Sequence, residues 1–263
     1  MKPEEIKKLV NEKYSLIART AQGGGCCGGN AQLDISMIGE EYRYVPGHVE
    51  DADLGLGCGV PTQFAGLQPG QSVLDLGSGA GNDCFVARAR VGETGQVTGL
   101  DFSEEMVRKA TANNAKLGYH NVSFVLGDIE QMPFPADGFD LILSNCVLNL
   151  VPDKTRAFSE MFRVLKPGGR FCISDVVLAG QLPAKLQKAA EMYAGCVSGA
   201  ILRNEYLQII KNCGFANITL HKEREITIPD SVLLNYLSEE EMTTFKQPGS
   251  GIFSITVSGS KPA

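Results

Sequence analysis

Several classes of function find no support in this sequence. No apolar stretch approaches the roughly 20 residues that cross a bilayer, and the opening Met-Lys-Pro-Glu-Glu-Ile-Lys-Lys has no apolar signal core. A soluble, cytoplasmic protein with no membrane partner is expected. Lys and Arg are scattered and number 24 against 30 Asp and Glu, for a net charge of −6. No basic footprint for nucleic acid is present. There is no CxxC pair, which excludes an ordinary zinc ribbon. His48, His120 and His221 stand in no motif, so no His–carboxylate pair offers itself for acid–base chemistry.

What is present is organised around Ser-Val-Leu-Asp-Leu-Gly-Ser-Gly-Ala-Gly-Asn-Asp at residues 72–83. Val73, Leu74 and Leu76 form a short apolar run suited to a buried parallel strand. Gly77, Gly79 and Gly81 then make a turn into a helix N-terminus, where backbone N–H groups can face a nucleotide-like ligand. A dinucleotide fingerprint needs its third glycine at position 82, which is Asn, so a nicotinamide oxidoreductase is disfavoured. Asp75, two residues before the first glycine, is placed to reach an ammonium group.

The 263 residues suffice for one α/β domain with extensions. Residues 3–19 read as an amphipathic helix with Ile6, Leu9, Val10, Tyr14 and Ile17 on one face. The glycine-rich run around Cys26 and Cys27 reads as a loop, and 61–67 as a short helix. Strands are expected at 72–76, 96–100, 122–126, 139–144 and 170–177. Helices are expected between them at 83–91, 103–117 and 153–165, with Ser103 as a cap and 166–169 as a turn. Further helices at 183–198 and 204–213, a strand at 218–221, a polar helical patch after 230 and a closing strand at 252–257 complete the pattern. Alternating strands and helices imply a parallel sheet with right-handed crossovers.

The strand ends carry a consistent set of side chains. Asp101 ends the second strand, where a carboxylate can hold both ribose hydroxyls, and Phe102 and Met106 beside it can cover a purine. Asp128 can accept from an adenine amino group, with the Ile129 backbone reading the ring edge. Each Asp alone serves equally as a helix cap or a turn residue. In this order they resemble the motifs of class I S-adenosylmethionine (SAM)-dependent methyltransferases, over about residues 73–177. The resemblance implies SAM as methyl donor, no metal cofactor, and cofactor contacts from Asp75, Gly77, Ser78, Gly79, Gly81, Asp101, Asp128 and Asn145. It also implies a Rossmann-like α/β fold: a seven-stranded, mostly parallel sheet with helices on both faces and its last strand antiparallel. An N-terminal helical and loop lid would span 1–66, and the core 67–263, with a helical insertion at about 179–214.

Eight cysteines remain to be placed. Cys58 lies between two glycines, Cys146 just after the fourth strand, and Cys196 among small residues. Cys84, Cys172 and Cys213 read as packing or a helix end, although a helix dipole at Cys84 would lower its pKa. Three thiols at loops and strand edges suit a soft centre. Trivalent arsenic binds three thiolates and keeps a lone pair that can take a methyl group.

Gly55-Leu56-Gly57-Cys58-Gly59, Ser144-Asn145-Cys146-Val147-Leu148-Asn149-Leu150 and Gly195-Cys196-Val197-Ser198-Gly199-Ala200 resemble arsenite methyltransferases of the microbial type. The resemblance implies As(III), free or as a thiol conjugate, bound by Cys58, Cys146 and Cys196. It also implies redox turnover at Cys26 or Cys27, with thioredoxin or glutathione as reductant. Against animal and algal relatives, the longer, cysteine-rich C-terminal domain is expected to be absent. Two rival readings are a methyltransferase of an organic small molecule, such as a quinone or sterol, and a thiol-rich metalloid-binding protein without turnover.

Overall fold

The computed structural model describes residues 2–20, 42–180, 185, 199–227, 230–245 and 250–263. Helix α1 (Pro3–Thr20) comes first. The alternating core follows: β1 (Ser72–Leu76), α2 (Asn82–Val91), β2 (Gln96–Asp101), α3 (Glu104–Leu117), β3 (Val122–Leu126), β4 (Phe139–Asn145), α4 (Lys154–Val164) and β5 (Leu165–Ala179). Then come α5 (Arg203–Asn212), β6 (Ala216–Glu225), α6 (Asp230–Leu233), α7 (Glu239–Phe245) and β7 (Gly251–Ser260). The sheet has seven strands in the order β3-β2-β1-β4-β5-β7-β6. β1 to β5 run parallel, and β7 lies antiparallel between β5 and β6. This is the Rossmann-like architecture expected, with the closing strand antiparallel.

Alternation along β1 explains the layers. Val73 packs with Phe85, Ala87 and Val91 of α2 on one face, while Leu74 and Leu76 pack with Phe158 and Met161 of α4 on the other. Both faces are covered, which is why β1 is a nearly continuous apolar run. Ser103 accepts from the Met106 N–H at 3.3 Å and caps α3 as expected. The strand order reverses between β2–β1 and β1–β4, so the glycine turn after β1 sits at the switch point, where such sheets bind ligands.

Three expectations change. Residues 166–169, expected as a free turn, belong to β5: the Gly168 N–H donates to the Lys261 carbonyl and the Lys261 N–H to Gly169. Gly168 keeps a turn-like φ of +75°, so tertiary pairing carries the strand through a local turn signal. The helix at 61–67 shrinks to one 3₁₀ turn, Pro61–Gln63. β6 is ten residues rather than four, because it is an edge strand whose outward positions are charged and break the apolar pattern. The helix expected at 183–198 falls outside the described residues apart from Lys185.

A separate apolar cluster caps the carboxyl edge of the sheet. It joins Val176, Leu178 and Ile252 to Val10 of α1, Leu233 of α6, Cys58 and Cys146. This gives the amphipathic α1 the surface its apolar face requires.

Candidate functional site

The turn after β1 is shaped by glycines in the left-handed region. Gly77 has φ +67°, and a Cβ there would stand 2.3 Å from a Val147 methyl. Gly79 has φ +52° with open space where its Cβ would be, so a ligand can approach its backbone. The Gly79 N–H donates to Asp101 Oδ2 at 2.9 Å, and the Ser103 N–H to Oδ1 at 2.9 Å. Asp101 thus ties the turn to the end of β2.

One pocket lies over this turn. Of the residues expected to hold a cofactor, Asp75, Gly77, Ser78, Gly79, Asp101, Met106 and Asn145 line it. Gly81, Phe102, Asp128 and Ile129 are not among its lining residues. Gly81 has φ +100°, and a Cβ there would meet Phe85 and Phe124. Phe102 packs against the edge cluster, and its carbonyl accepts from Asn11 of α1 at 3.0 Å. Asp128 is held by Lys7 of α1 at 2.7 Å, Lys7 also pairing with Glu130, and Ile129 is core.

The electrostatics of the pocket ask for a cation. Burial pushes the Asp75 carboxyl well above the ordinary carboxylate range, aided by nearby Asp83, while the Cys84 thiol donates to it at 3.3 Å. Burial raises Asp83 to about 6 and also raises Asp101. Ser78 Oγ is buried without a hydrogen-bond partner. Clustered buried carboxylates, an unpartnered hydroxyl and an open glycine backbone fit SAM, whose ammonium and sulfonium bring positive charge and whose other groups take hydrogen bonds. Asp75, Asp83, Asp101, Ser78 and the Gly77–Gly79 backbone are the residues that would hold it.

Of the expected thiols, Cys146 lines this pocket, and Cys58 follows Leu56 and Gly57, which line it too. Cys146 is buried and adopts φ +59°, a backbone state costly for a residue with a Cβ and characteristic of functional positions. Its N–H donates to the Ser174 carbonyl at 2.8 Å. Cys58 is buried in the same apolar cluster, and its loop is clamped by Asn145: the Cys58 N–H donates to Asn145 Oδ1 at 3.0 Å, and Asn145 Nδ2 donates to the Gly59 carbonyl at 2.9 Å. The flanking glycines serve this clamp. A Cβ at Gly57 would stand 2.7 Å from the Asn145 amide, and one at Gly59 2.5 Å from Ser174 Oγ. Cys26, Cys27 and Cys196 lie outside the described residues.

The remaining thiols separate by environment. Burial and Asp75 push the Cys84 thiol well above its ordinary range, so the helix dipole does not make it reactive. Cys172 is fully buried and raised to about 12, and Cys213 sits by the Thr155 carbonyl near the end of α5.

Sequence reasoning did not single out Tyr42 or the side chain of Asp83. Tyr42 stands in a polar stretch without periodicity, and Asp83 reads as an ordinary first-turn acid. In the fold the Tyr42 hydroxyl donates to Asp83 Oδ1 at 2.6 Å, and both line the pocket. Tyr14 of α1 lines it too.

A family model described as a methyltransferase domain matches residues 67–214. The arsenite methyltransferase of Halobacterium salinarum is 37% identical, covering 99% of this chain and 68% of its own length. That of Aquipseudomonas alcaligenes is 38% identical over 73% of this chain and 57% of its own. The crystal structure of an arsenic(III) S-adenosylmethionine methyltransferase from Chlamydomonas reinhardtii superposes with a TM-score of 0.67 at 36% identity, over 78% of this chain and 68% of that one. The chain therefore spans about 57% to 68% of the length of these relatives. With the glycine turn at the switch point, a pocket built for a cationic cofactor and the buried thiol of Cys146 in its lining, the chain belongs to the arsenite methyltransferase family of SAM-dependent methyltransferases.

Proposed function

We infer that this protein methylates trivalent arsenic, using SAM as methyl donor and Cys58, Cys146 and Cys196 as the thiolates that hold the substrate. The observation that carries this reading is that Cys146 lines the same pocket as the glycine turn while Asn145 clamps the Cys58 loop beside it. SAM, when bound, supplies an electrophilic methyl group on a sulfonium. Arsenite exchanges its three hydroxyls for three thiolates, each thiol proton leaving with a hydroxyl as water, so no net proton is released. The thiolate-bound arsenic keeps its lone pair and needs no general base. Leu150, Val176 and Ile252 around the thiols exclude water from it.

Each methyl transfer raises arsenic formally by two electrons, so two electrons must return before the next. Cys26 or Cys27, recharged by thioredoxin or glutathione, suits that role in a cytoplasmic setting. Residues 1–66 would act as a lid on a core of 67–263, with the insertion at about 179–214 bringing Cys196. The contacts of α1 with the ends of β2 and β3 support the lid: Asn11 reaches the Phe102 carbonyl, Ser15 reaches Ser103 and Glu105, and Lys7 reaches Asp128.

The test is speciation of arsenic by chromatography with elemental mass detection after incubation with arsenite, SAM and a thiol reductant. Wild-type protein is expected to give methylated arsenic and Cys58→Ser none. Methylated product undiminished in Cys58→Ser would overturn the thiolate mechanism. No product from wild type while SAM binds would overturn the activity and favour an organic acceptor.

A further inference from the structure

A chain of hydrogen bonds joins the wall of the cofactor pocket to the Cys58 loop. Asp83, on the first turn of α2, accepts from the Tyr42 hydroxyl at 2.6 Å. The Tyr42 oxygen accepts in turn from Asn145 Nδ2 at 2.7 Å. Asn145 Nδ2 also lies 2.9 Å from the Gly59 carbonyl and 3.2 Å from Asp83 Oδ2, and Asn145 Oδ1 takes the Cys58 N–H. A primary amide has two hydrogens, and three acceptors here compete for them. The orientation of Asn145, and with it the hold on Cys58, is therefore set by Tyr42 and Asp83.

Asp83 is the acidic end of this chain and lines the pocket that would hold the cofactor. It is buried and raised to about 6 by that burial, with Asp53 and Asp75 nearby, so a cation in the pocket would favour its ionised form. An ionised Asp83 draws the Tyr42 proton in a charge-assisted bond, which makes the Tyr42 oxygen a better acceptor for one Asn145 hydrogen. The other hydrogen is left for Gly59, and Oδ1 for Cys58.

We propose that Tyr42 is a positioning residue that transmits occupancy of the SAM pocket to the Cys58 loop, so that cofactor and trivalent arsenic bind cooperatively. The proposal rests on the thiolate reading above. Linkage requires the effect to be reciprocal: arsenic binding tightens cofactor binding by the same factor.

The test measures binding rather than turnover. Arsenite affinity of the full chain is measured by equilibrium dialysis with elemental mass detection, with and without saturating sinefungin, an amine-bearing SAM analogue that cannot transfer a methyl group. Wild type is expected to bind arsenite about fivefold or more tightly when sinefungin is present. In Tyr42→Phe, which removes only the hydroxyl, that ratio is expected to fall below about twofold, taking about fivefold as the low end of ordinary coupling. Asp83→Asn, a second and independent variant, is expected to lose the coupling likewise and serves should Tyr42→Phe fail to fold by circular dichroism. An unchanged ratio in a folded variant, or no tightening in wild type, would overturn the relay and leave the thiolate reading standing. Absence of arsenite binding in wild type under both conditions would overturn the thiolate reading and the relay with it.

Discussion

The backbone N–H of Cys58 donates to the side-chain oxygen of Asn145 at 3.0 Å, so the last residue of β4 holds one thiol loop while its own neighbour, Cys146, supplies the second thiol. One amide thereby ties the backbone of the Cys58 loop to the residue before Cys146. Asn145 reads from sequence as a cofactor ligand. In the fold it lines the pocket, and its polar atoms also bond Cys58, Gly59, Tyr42 and Asp83.

Asn145→Ala leaves the Cys58 N–H and Gly59 carbonyl without this partner, at about 1–3 kcal/mol for each buried group left unsatisfied. Arsenite affinity is expected to fall at least tenfold, on the order of the 1.4 kcal/mol equivalent. Arsenic retained per protein after gel filtration checks this. Retention equal to wild type would show that the clamp does not position Cys58.

Gly59→Ala places a methyl group 2.5 Å from Ser174 Oγ and 2.7 Å from Ser174 Cβ. Overpacking of this kind costs about 1–3 kcal/mol, and a lower melting temperature with weakened arsenite binding is expected. Ser174→Gly in the same chain removes both clashing atoms. Thermal melts of single and double variants should show recovery in the double; no recovery would place the strain elsewhere.

Cys146 offers a reversal of an ordinary rule. Glycine is usually the less stable choice beside alanine, but φ +59° penalises any Cβ by about 1–2 kcal/mol. Cys146→Gly is therefore expected to melt at or above Cys146→Ala, while both lose arsenite binding. A Gly variant clearly less stable than the Ala variant would contradict the strain argument.

Asp175 predicts how stability depends on pH. It is fully buried, accepts from the Tyr206 hydroxyl at 2.9 Å, and is pushed up to about 7 by burial, which the nearby Lys154 offsets in part. Because its folded pKa lies above the unfolded value of about 3.9, the folded state keeps a proton that the unfolded chain releases between about pH 4 and 7. Stability then falls as pH rises through that window, by on the order of 4 kcal/mol, and levels off above it. Asp83, raised to about 6, adds to the same slope. Melts from pH 4 to 8 are expected to show a shallower decline in Asp175→Asn than in wild type. An equal decline would mean that Asp175 is ionised in the fold.

The core was legible because its signals are local. Val73, Leu74 and Leu76 announce a strand covered on both faces, Gly77 to Gly81 a turn, and Ser103 a cap, each within one element. Signals failed where a distant partner overrides the local pattern. Lys166-Pro167-Gly168-Gly169 looks like a turn until Lys261 pairs with it, and Glu223 and Glu225 look unlike a strand until β7 lies beside them. The strand-end rule also placed Gly77, Gly79, Asp101 and Met106 together, and all four line the one pocket over the turn. Nothing near Asp128 in sequence shows that Lys7 will pair with its carboxylate.

By itself the sequence determined the fold class, the place of the cofactor turn and the identity of the candidate thiols. Hydrophobic period, glycine spacing and soft-ligand chemistry are properties of short stretches and of residue types. Only the tertiary structure decided that Asn145 ties the Cys58 loop to the end of β4, that Gly57 and Gly59 are needed for close approach to β4 and β5, and that Tyr42 and Asp83 link Asn145 to the pocket wall. Hydrogen bonds spanning 41 to 103 residues leave no periodic trace in the chain, because their geometry exists only once the sheet has brought the strand ends to a common edge.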